Sequence, residues 1–229
     1  MLPSRHINGD LYPPDHPSRL CSESSTTCLM LLIMAMKCAW SFFDVSKAFD
    51  TVPHVPLLET LQNQNVNEYL LRWIKSYLLN RSQYVAVEGH DSSTLPVVSG
   101  VPQGSVLGPL LFISYINDVT SVVSSESELN LFADDIALYR IIKSPADYDQ
   151  LQIDIDSVSS FISGKHLKFN ARKCRQMLVS RKTKYSLTQP PLTVDGTPLT
   201  VVTEYKYLGV TIVSDLSWSS HITNICTKK

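Results

Sequence analysis

This sequence predicts an α+β fold, an antiparallel sheet backed by helices, on three observations. Short apolar stretches rich in β-prone residues are separated by turn residues, most clearly across Leu129 to Tyr139. Longer segments place apolar residues at helical spacing. The two kinds of segment follow one another in a mixed order, hairpins with intervening helices, which suits helices laid over one face of a sheet. At 229 residues and 44% hydrophobic content the chain can bury a sizeable core, enough for one domain or one with a small appendage.

Taken in order, residues 1–24 are rich in Pro, Ser, His and Asp, show no periodicity, and are expected to form a loose leader. Ser24-Ser25-Thr26-Thr27 can cap the apolar run Cys28 to Met36, which reads as a buried helix. That run is shorter than the roughly 20 residues a bilayer requires. It also lies too far from Met1, with no basic leader and no convincing cleavage site, for a signal peptide.

Trp40 to Val45 reads as a strand with Asp44 set among apolar neighbours, and Pro53 and Pro56 interrupt regular structure soon after. Leu57 to Leu79 predicts a helical pair broken near Asn65. Tyr84 to Glu88 and Thr94 to Ser99 predict strands around Gly89-His90-Asp91. They feed the loop Gly100 to Pro109, whose proline suits the first turn of a helix over Leu110 to Val119.

Beyond Tyr139, Ser144 to Asp147 is a capping sequence, and Leu151, Ile155, Val158 and Ile162 share one face of a helix ended by Gly164. Leu178 to Ser180, Leu192 to Val194 with the turn Asp195-Gly196, and Tyr207 to Val213 predict further strands. Trp218 to Lys229 predicts a helix that has only begun. No repeat or low-complexity segment is present.

The net charge of −1 does not by itself suggest a nucleic-acid binder, but the charge is unevenly distributed. Residues 1–156 hold 18 of the 21 acids and 9 of the 20 basic residues, whereas Lys165 to Lys184 holds eight Lys/Arg and no acid. The five cysteines form no CxxC pair and imply reduced thiols, hence an intracellular protein, nuclear or cytoplasmic, neither secreted nor in a membrane.

The centre of the sequence is Leu-Asn-Leu-Phe-Ala-Asp-Asp-Ile-Ala-Leu-Tyr, ending at Tyr139. Its two apolar arms predict a hairpin with Asp134 and Asp135 at the tip. An isolated Asp-Asp is ordinarily a solvated turn. Against apolar flanks, however, two adjacent carboxylates repel unless a cation compensates them, and Mg²⁺ takes one or two carboxylates plus substrate phosphates. A further carboxylate is then required, and Asp44 supplies it. Strands carrying Asp44 and Asp134 side by side would hold two ions about 3.5–4 Å apart, the arrangement that serves phosphoryl transfer. Aspartates at strand ends also occur as caps and ion pairs.

The motifs Phe42-Phe-Asp-Val-Ser-Lys-Ala-Phe-Asp-Thr-Val-Pro-His54, Ser99-Gly-Val-Pro-Gln-Gly-Ser-Val-Leu-Gly-Pro-Leu-Leu-Phe112, Leu131-Phe-Ala-Asp-Asp135, Leu167-Lys-Phe-Asn-Ala-Arg-Lys-Cys174 and Tyr205-Lys-Tyr-Leu-Gly-Val210 stand in the order found in reverse transcriptases. They resemble most those of non-long-terminal-repeat (LINE-type) retrotransposons, over about residues 40–226, connecting segments such as Leu71 to Gln83 included. The resemblance implies a polymerase palm with a partial fingers region, over residues 25–229, and RNA-templated DNA synthesis on a DNA primer from deoxynucleoside triphosphates. It implies Asp44, Asp134 and Asp135 as metal-binding catalytic acids, with the Val45 carbonyl completing the shell of the second of two Mg²⁺ ions, for which Mn²⁺ can substitute.

Phe49 would lie under the incoming sugar, and it also suits a plain core position. Gln103 and Gly104 would border the nucleotide, a Cβ-free residue permitting close approach. Lys173 matches the family's lysine near the pyrophosphate, where it could donate a proton; a solvated lysine in a basic run fits equally. Asp50 is read as structural.

The sequence departs from the family before Asp44, where only Ser25-Thr26-Thr27 echoes the fingers, and after Lys229, where a thumb is expected. With a primer–template gripped on one side only, the chain is expected to keep the palm and the acids while extending primers weakly or not at all, unless a partner chain supplies fingers or thumb. The alternative is a non-catalytic retroelement remnant that folds and binds nucleic acid or nothing.

Overall fold

The chain is described from a computed structural model, over residues 37–180 and 190–227. The expected leader, its cap and the apolar helix up to Met36 lie outside these residues, as do Arg181, Lys182 and Lys184 of the basic stretch and the last two residues of the C-terminal helix.

Strand β1 (Cys38–Asp44) is buried from Cys38 to Phe43, and only Asp44 at its end is half-exposed. An apolar run covered on both faces marks a central strand. After it come α1 (Ala48–Thr51), α2 (His54–Asn63) and α3 (Glu68–Leu78). Asn65, at φ 59, turns the chain between the last two, which is the break expected there. Two nested ribbons then form, β2 (Ser82–Gln83) with β5 (Leu95–Pro96), and β3 (Ala86–Val87) with β4 (His90–Asp91). The turn is Glu88-Gly89, both at positive φ, so His90 and Asp91 are strand residues rather than the expected turn.

Helix α4 (Leu107–Ile116) begins three residues before the expected Leu110 and passes into a 3-10 segment at Asn117–Val122. Ser105, just before the helix, accepts the Gly108 N–H on its Oγ at 3.0 Å and so satisfies one of the free donors of the first turn. Next come β6 (Ser127–Phe132), β7 (Asp135–Ile141), α5 (Ala146–Gly164), β8 (Arg175–Val179), β9 (Thr193–Val194), β10 (Thr197–Pro198), β11 (Thr200–Val201), β12 (Glu204–Tyr207), β13 (Val210–Val213) and α6 (Ser219–Cys226). The single strand expected over Tyr207 to Val213 is instead a β12–β13 hairpin, turning at Leu208 and Gly209 with φ 48 and 85.

The main sheet runs β11-β8-β1-β7-β6. It is antiparallel, as expected, except at its edge, where the two-residue β11 joins β8 in parallel. Alternation along the strands divides its side chains between two faces. Ala39, Phe43, Ile136, Leu138 and Leu178 enter the large core with Leu57 and Leu61 of α2, Phe112 and Tyr115 of α4, and Leu151, Ile155, Val158 and Ile162 of α5. Trp40, Phe42, Ala137, Tyr139 and Met177 form a smaller cluster on the other face, with Tyr205, Tyr207 and Ile212 of the β12–β13 hairpin against it. The helices thus cover one face, as expected, and a hairpin covers part of the other.

Candidate active site

The register of the central strands brings the sequence-distant acids together. β1 pairs with β7 so that Asp44 stands directly opposite Asp135. β6 and β7 close with Phe132 opposite Asp135, leaving Ala133 and Asp134 as a two-residue turn. Ala133 takes φ 54, a conformation that costs a residue bearing a Cβ of the order of 1 kcal/mol. The hairpin is therefore where the sequence placed it. Its tip, however, holds Asp134 alone, and the acid paired with Asp44 across the strands is Asp135, not Asp134.

Backbone bonding refines this pairing. The Asp44 carbonyl accepts the Asn170 N–H at 2.8 Å, and the Ser46 N–H donates to the Lys168 carbonyl at 2.8 Å. Asp44 thus spends its peptide groups on the side away from β7. Its pairing with Asp135 is then of the non-hydrogen-bonded kind, the one that brings opposed side chains closer. Alternation turns the Val45 carbonyl the other way, toward the hairpin tip, while its side chain is buried. By the same alternation Asp44 and Asp135 share the face of Trp40, Phe42 and Tyr139.

The electrostatics follow from the proximity. The Asp135 carboxyl is held above the usual carboxylate range, first by burial and then by the charges of Asp134 and Asp44. Tyr205, whose ring stacks on Phe42 at 4.2 Å, has its hydroxyl pushed up by burial and by Asp135 and Asp44. Among the described residues Lys173 pairs with these acids, its Nζ 3.3 Å from Asp44 Oδ2. Asn170, which binds the Asp44 backbone, also accepts the Lys173 N–H at 2.8 Å, so one short segment holds both the acid and its counter-ion.

Phe49, Gln103 and Gly104 form a neighbouring group. The Phe49 ring packs on Phe112 at 4.9 Å, which makes it a core residue as well as a candidate floor. Its carbonyl accepts the Val101 N–H at 2.7 Å. Asp50 holds the loop twice over, its carbonyl accepting from Ser99 Oγ at 2.9 Å and its Oδ1 from Gln103 Nε2 at 2.7 Å. Close approach inside the protein occurs at two other glycines. A Cβ on Gly100 would lie 2.8 Å from the Asp50 carbonyl and one on Gly108 2.6 Å from the Pro102 carbonyl, whereas Gly104, at φ 78, faces open space.

Sequence reading missed two contributors, Asn170 and Tyr205, while Asp50, expected to be structural, holds the loop. Each sits inside a quoted motif, but its contact joins segments that no local pattern connects.

Asp44, Asp134 and Asp135 offer hard oxygen donors with an excess of negative charge, the chemistry that suits Mg²⁺ or Mn²⁺. Among the described residues no three His, Cys, Asp or Glu side chains are gathered tightly enough to hold an ion by themselves. No helix of the described residues is long and apolar enough to cross a membrane.

Comparison with known proteins gives a consistent result. Residues 12–212 match the family described as reverse transcriptase (RNA-dependent DNA polymerase), beginning inside the stretch expected as a leader. The chain is 34% identical over 192 residues to the RNA-directed DNA polymerase from the mobile element jockey of Drosophila melanogaster, covering 81% of this chain and 20% of that protein. It is 32% identical over 195 residues to the probable RNA-directed DNA polymerase from the transposon X-element of the same organism, covering 83% and 21%. The chain thus spans about a fifth of the length of these relatives.

In fold it is similar to telomerase from Candida tropicalis in complex with a fragment of telomeric RNA, with a TM-score of 0.61 at 12% identity, covering 89% of this chain and 34% of that one. The apo enzyme of the same organism, truncated of its C-terminal domain, gives 0.57 at 14%, covering 88% and 38%. At such identities the likeness concerns the fold, a polymerase palm.

Proposed function

The chain belongs to the reverse transcriptase (RNA-dependent DNA polymerase) family, and from that premise we propose that it forms the catalytic palm of an RNA-directed DNA polymerase of a non-long-terminal-repeat retrotransposon. Its substrates would be a primed RNA template and deoxynucleoside triphosphates. Fingers and thumb would come from the rest of a longer chain or from a partner. The reverse transcriptase-like domain would span residues 25–229, most of which falls within the family match over residues 12–212. The observation that carries this reading is the register that sets Asp44 opposite Asp135 with Asp134 in the adjoining turn.

Reverse transcriptases as a family use divalent metal ions. Asp44 and Asp134, with Asp135 beside them and the Val45 carbonyl, would hold two Mg²⁺, or Mn²⁺ in their place. Such a pair, when bound, supplies Lewis acidity to a primer 3′ hydroxyl and neutralises the departing pyrophosphate. The residues of the chain position the reactants. Phe49, fixed against Phe112, would lie beneath the incoming sugar and crowd a ribose 2′ hydroxyl. Gln103, held by Asp50, would border the nucleotide together with Gly104, whose open surroundings leave room for a ligand to approach the backbone. Lys173 neutralises Asp44 in the metal-free protein and would donate a proton to the leaving group.

The test is a titration of the purified 229-residue protein with Mg²⁺ or Mn²⁺, following both its melting temperature and incorporation of labelled deoxynucleotide on a primed RNA. The metal is expected to stabilise the wild type and not Asp134→Asn, with any extension ending after a few nucleotides. Stabilisation without incorporation, here and in a longer protein carrying this segment, would favour the non-catalytic remnant. Absence of both effects would remove the polymerase reading.

A further inference from the structure

Helix α3 lies outside the acid site and carries a feature that the polymerase reading leaves unused. Tyr69, Arg72, Trp73 and Tyr77 recur at i, i+3, i+4 and i+8, one stripe of the helix, while Ile74 and Leu78 face the core. Tyr69 and Trp73 look outward, 78% and 53% exposed, while Tyr77 is half-buried against the core. The stripe's rings and cations are interleaved. The Arg72 guanidinium lies over the Tyr69 ring at 5.2 Å and that of Arg81 over Tyr77 at 5.5 Å, while Trp73 and Tyr77 stack with planes 9° apart.

Charge identifies the occupant. From Tyr69 to Val87 the chain carries Arg72, Lys75 and Arg81 and no acid, although residues 1–156 as a whole are strongly acidic. Glu68 engages one arm of Arg72 at 3.2 Å, in an exposed pair that a phosphate can replace at little cost. A purely apolar partner would meet Lys75 and Arg81, which no acid pairs among the described residues. A membrane surface would find charge of the right sign, but no long apolar flank to insert.

We propose that this stripe of α3 binds single-stranded nucleic acid, with bases stacked on Tyr69 and Trp73 and backbone phosphates on Arg72 and Arg81. Open π-faces accept any base and guanidinium groups track the phosphate backbone, so the surface binds without sequence preference. It makes no use of the metal-binding acids, and so it serves as an outer track for a strand rather than as part of the reaction.

The test uses fluorescence anisotropy with a labelled 20-nucleotide single-stranded RNA and the purified 229-residue protein in EDTA, where no polymerase chemistry contributes. Trp73→Ala and Tyr69→Ala are each expected to weaken binding about tenfold, and Trp73→Tyr to restore it. Arg81→Ala should flatten the dependence of log affinity on log salt by about 0.7, one phosphate contact on a single strand. Because Tyr69 is almost wholly exposed, its removal leaves the core intact and guards against a folding artefact. The Tyr69 and Trp73 variants should be stabilised by Mg²⁺ as the wild type is, so loss of the acid site and loss of this surface can be told apart. Wild-type affinity in the α3 variants would overturn the proposal. So would an α3-dependent dimer of the chain whose RNA affinity is unchanged by Trp73→Ala, since the stripe would then be a protein interface.

Discussion

Strand β7 carries a charged cluster at each end, one on either face of the sheet, and the two are compensated in opposite ways. At its start Asp135 meets Asp44 and Asp134, with Lys173 as counter-ion, its side chain 64% exposed. Near its finish Arg140, buried among the helices, meets Glu126 at 2.6 Å, Asp147 at 3.5 Å and Asp154 at 3.9 Å. Acids outnumber the cation there too, but their oxygens are satisfied by donors. Asp154 accepts from the N–H and Oγ of Ser124 and from Ser127 Oγ, and Asp147 from the N–H groups of Lys143 and Ser144. Among the described residues no N–H or O–H donates to the side chains of Asp134 or Asp135. One end has its charges answered inside the protein; the other is left with an excess that an external cation can answer. The first arrangement fixes α5 to the sheet, and the second leaves like charges facing one another at a cost to the fold.

The largest expected effect follows from breaking the compensated end. Arg140→Met leaves Asp154 buried without its cation and should cost about 3–5 kcal/mol, a fall in melting temperature of roughly 10 °C. Denaturant titration measures it, and a loss below about 1 kcal/mol would mean that the hydrogen bonds from Ser124 and Ser127 suffice alone. The corresponding change at the open end should act the other way. Asp135→Asn removes a charge that burial and two neighbouring acids disfavour, and should raise the metal-free melting temperature by about 2 °C while abolishing stabilisation by Mg²⁺. A lower melting temperature in Asp135→Asn would show that the acids are already compensated and that the contrast between the two ends is wrong.

Lys173 offers a finer probe. Its pair with Asp44 is exposed on the lysine side, so Lys173→Met should alter the metal-free stability by no more than about 1 kcal/mol. It should nevertheless tighten Mn²⁺ binding, read from the bound ion's spin-resonance signal, because a competing cation has gone. Unchanged Mn²⁺ affinity would place Lys173 outside the metal's reach.

The open end was far more legible in the sequence than the closed one, for a physical reason. Asp134-Asp135 between apolar arms is a local contradiction, and contradictions of that kind are visible in a window of a dozen residues. Helix faces were equally plain, since Leu151, Ile155, Val158 and Ile162 announce theirs by spacing alone, and all four are buried. Register was not. The partner of Asp44 depends on a turn of two residues rather than three, and that turn places Ala133 at a positive φ, where alanine gives no warning. Leu208 hides the β12–β13 turn in the same way, so that an apolar run passed for one strand. The network around Arg140 gathers Glu126, Asp147 and Asp154 from the loop before β6 and from α5. None of the three differs from a solvated surface acid until the sheet and helix are packed.

Acidity separates the two ends by sign, with the smallest shifts of all. Asp135 has a folded pKa above its unfolded value, so the native state holds the extra proton. Its contribution to stability therefore falls as pH rises from about 3.9, the unfolded value, through the raised folded one. Asp147 is the reverse. Hydrogen bonds from the backbone of Lys143 and Ser144 lower its pKa, so it contributes stability that is complete above the unfolded value and disappears as pH falls through the folded one. At pH 7 without metal, Asp135→Asn should then melt above the wild type and Asp147→Asn below it, each by less than about 1 kcal/mol in equivalent stability. On acidification the Asp135→Asn advantage should vanish near pH 4, whereas the Asp147→Asn deficit should persist to lower pH before closing. Mg²⁺ should erase only the first difference, because it stabilises the wild-type acids and does nothing for a carboxylate already served by N–H groups. Melting curves of the three proteins from pH 3 to 7, with and without Mg²⁺, decide the matter. If both differences close at the same pH, burial and hydrogen bonding are not what distinguishes the two ends of β7.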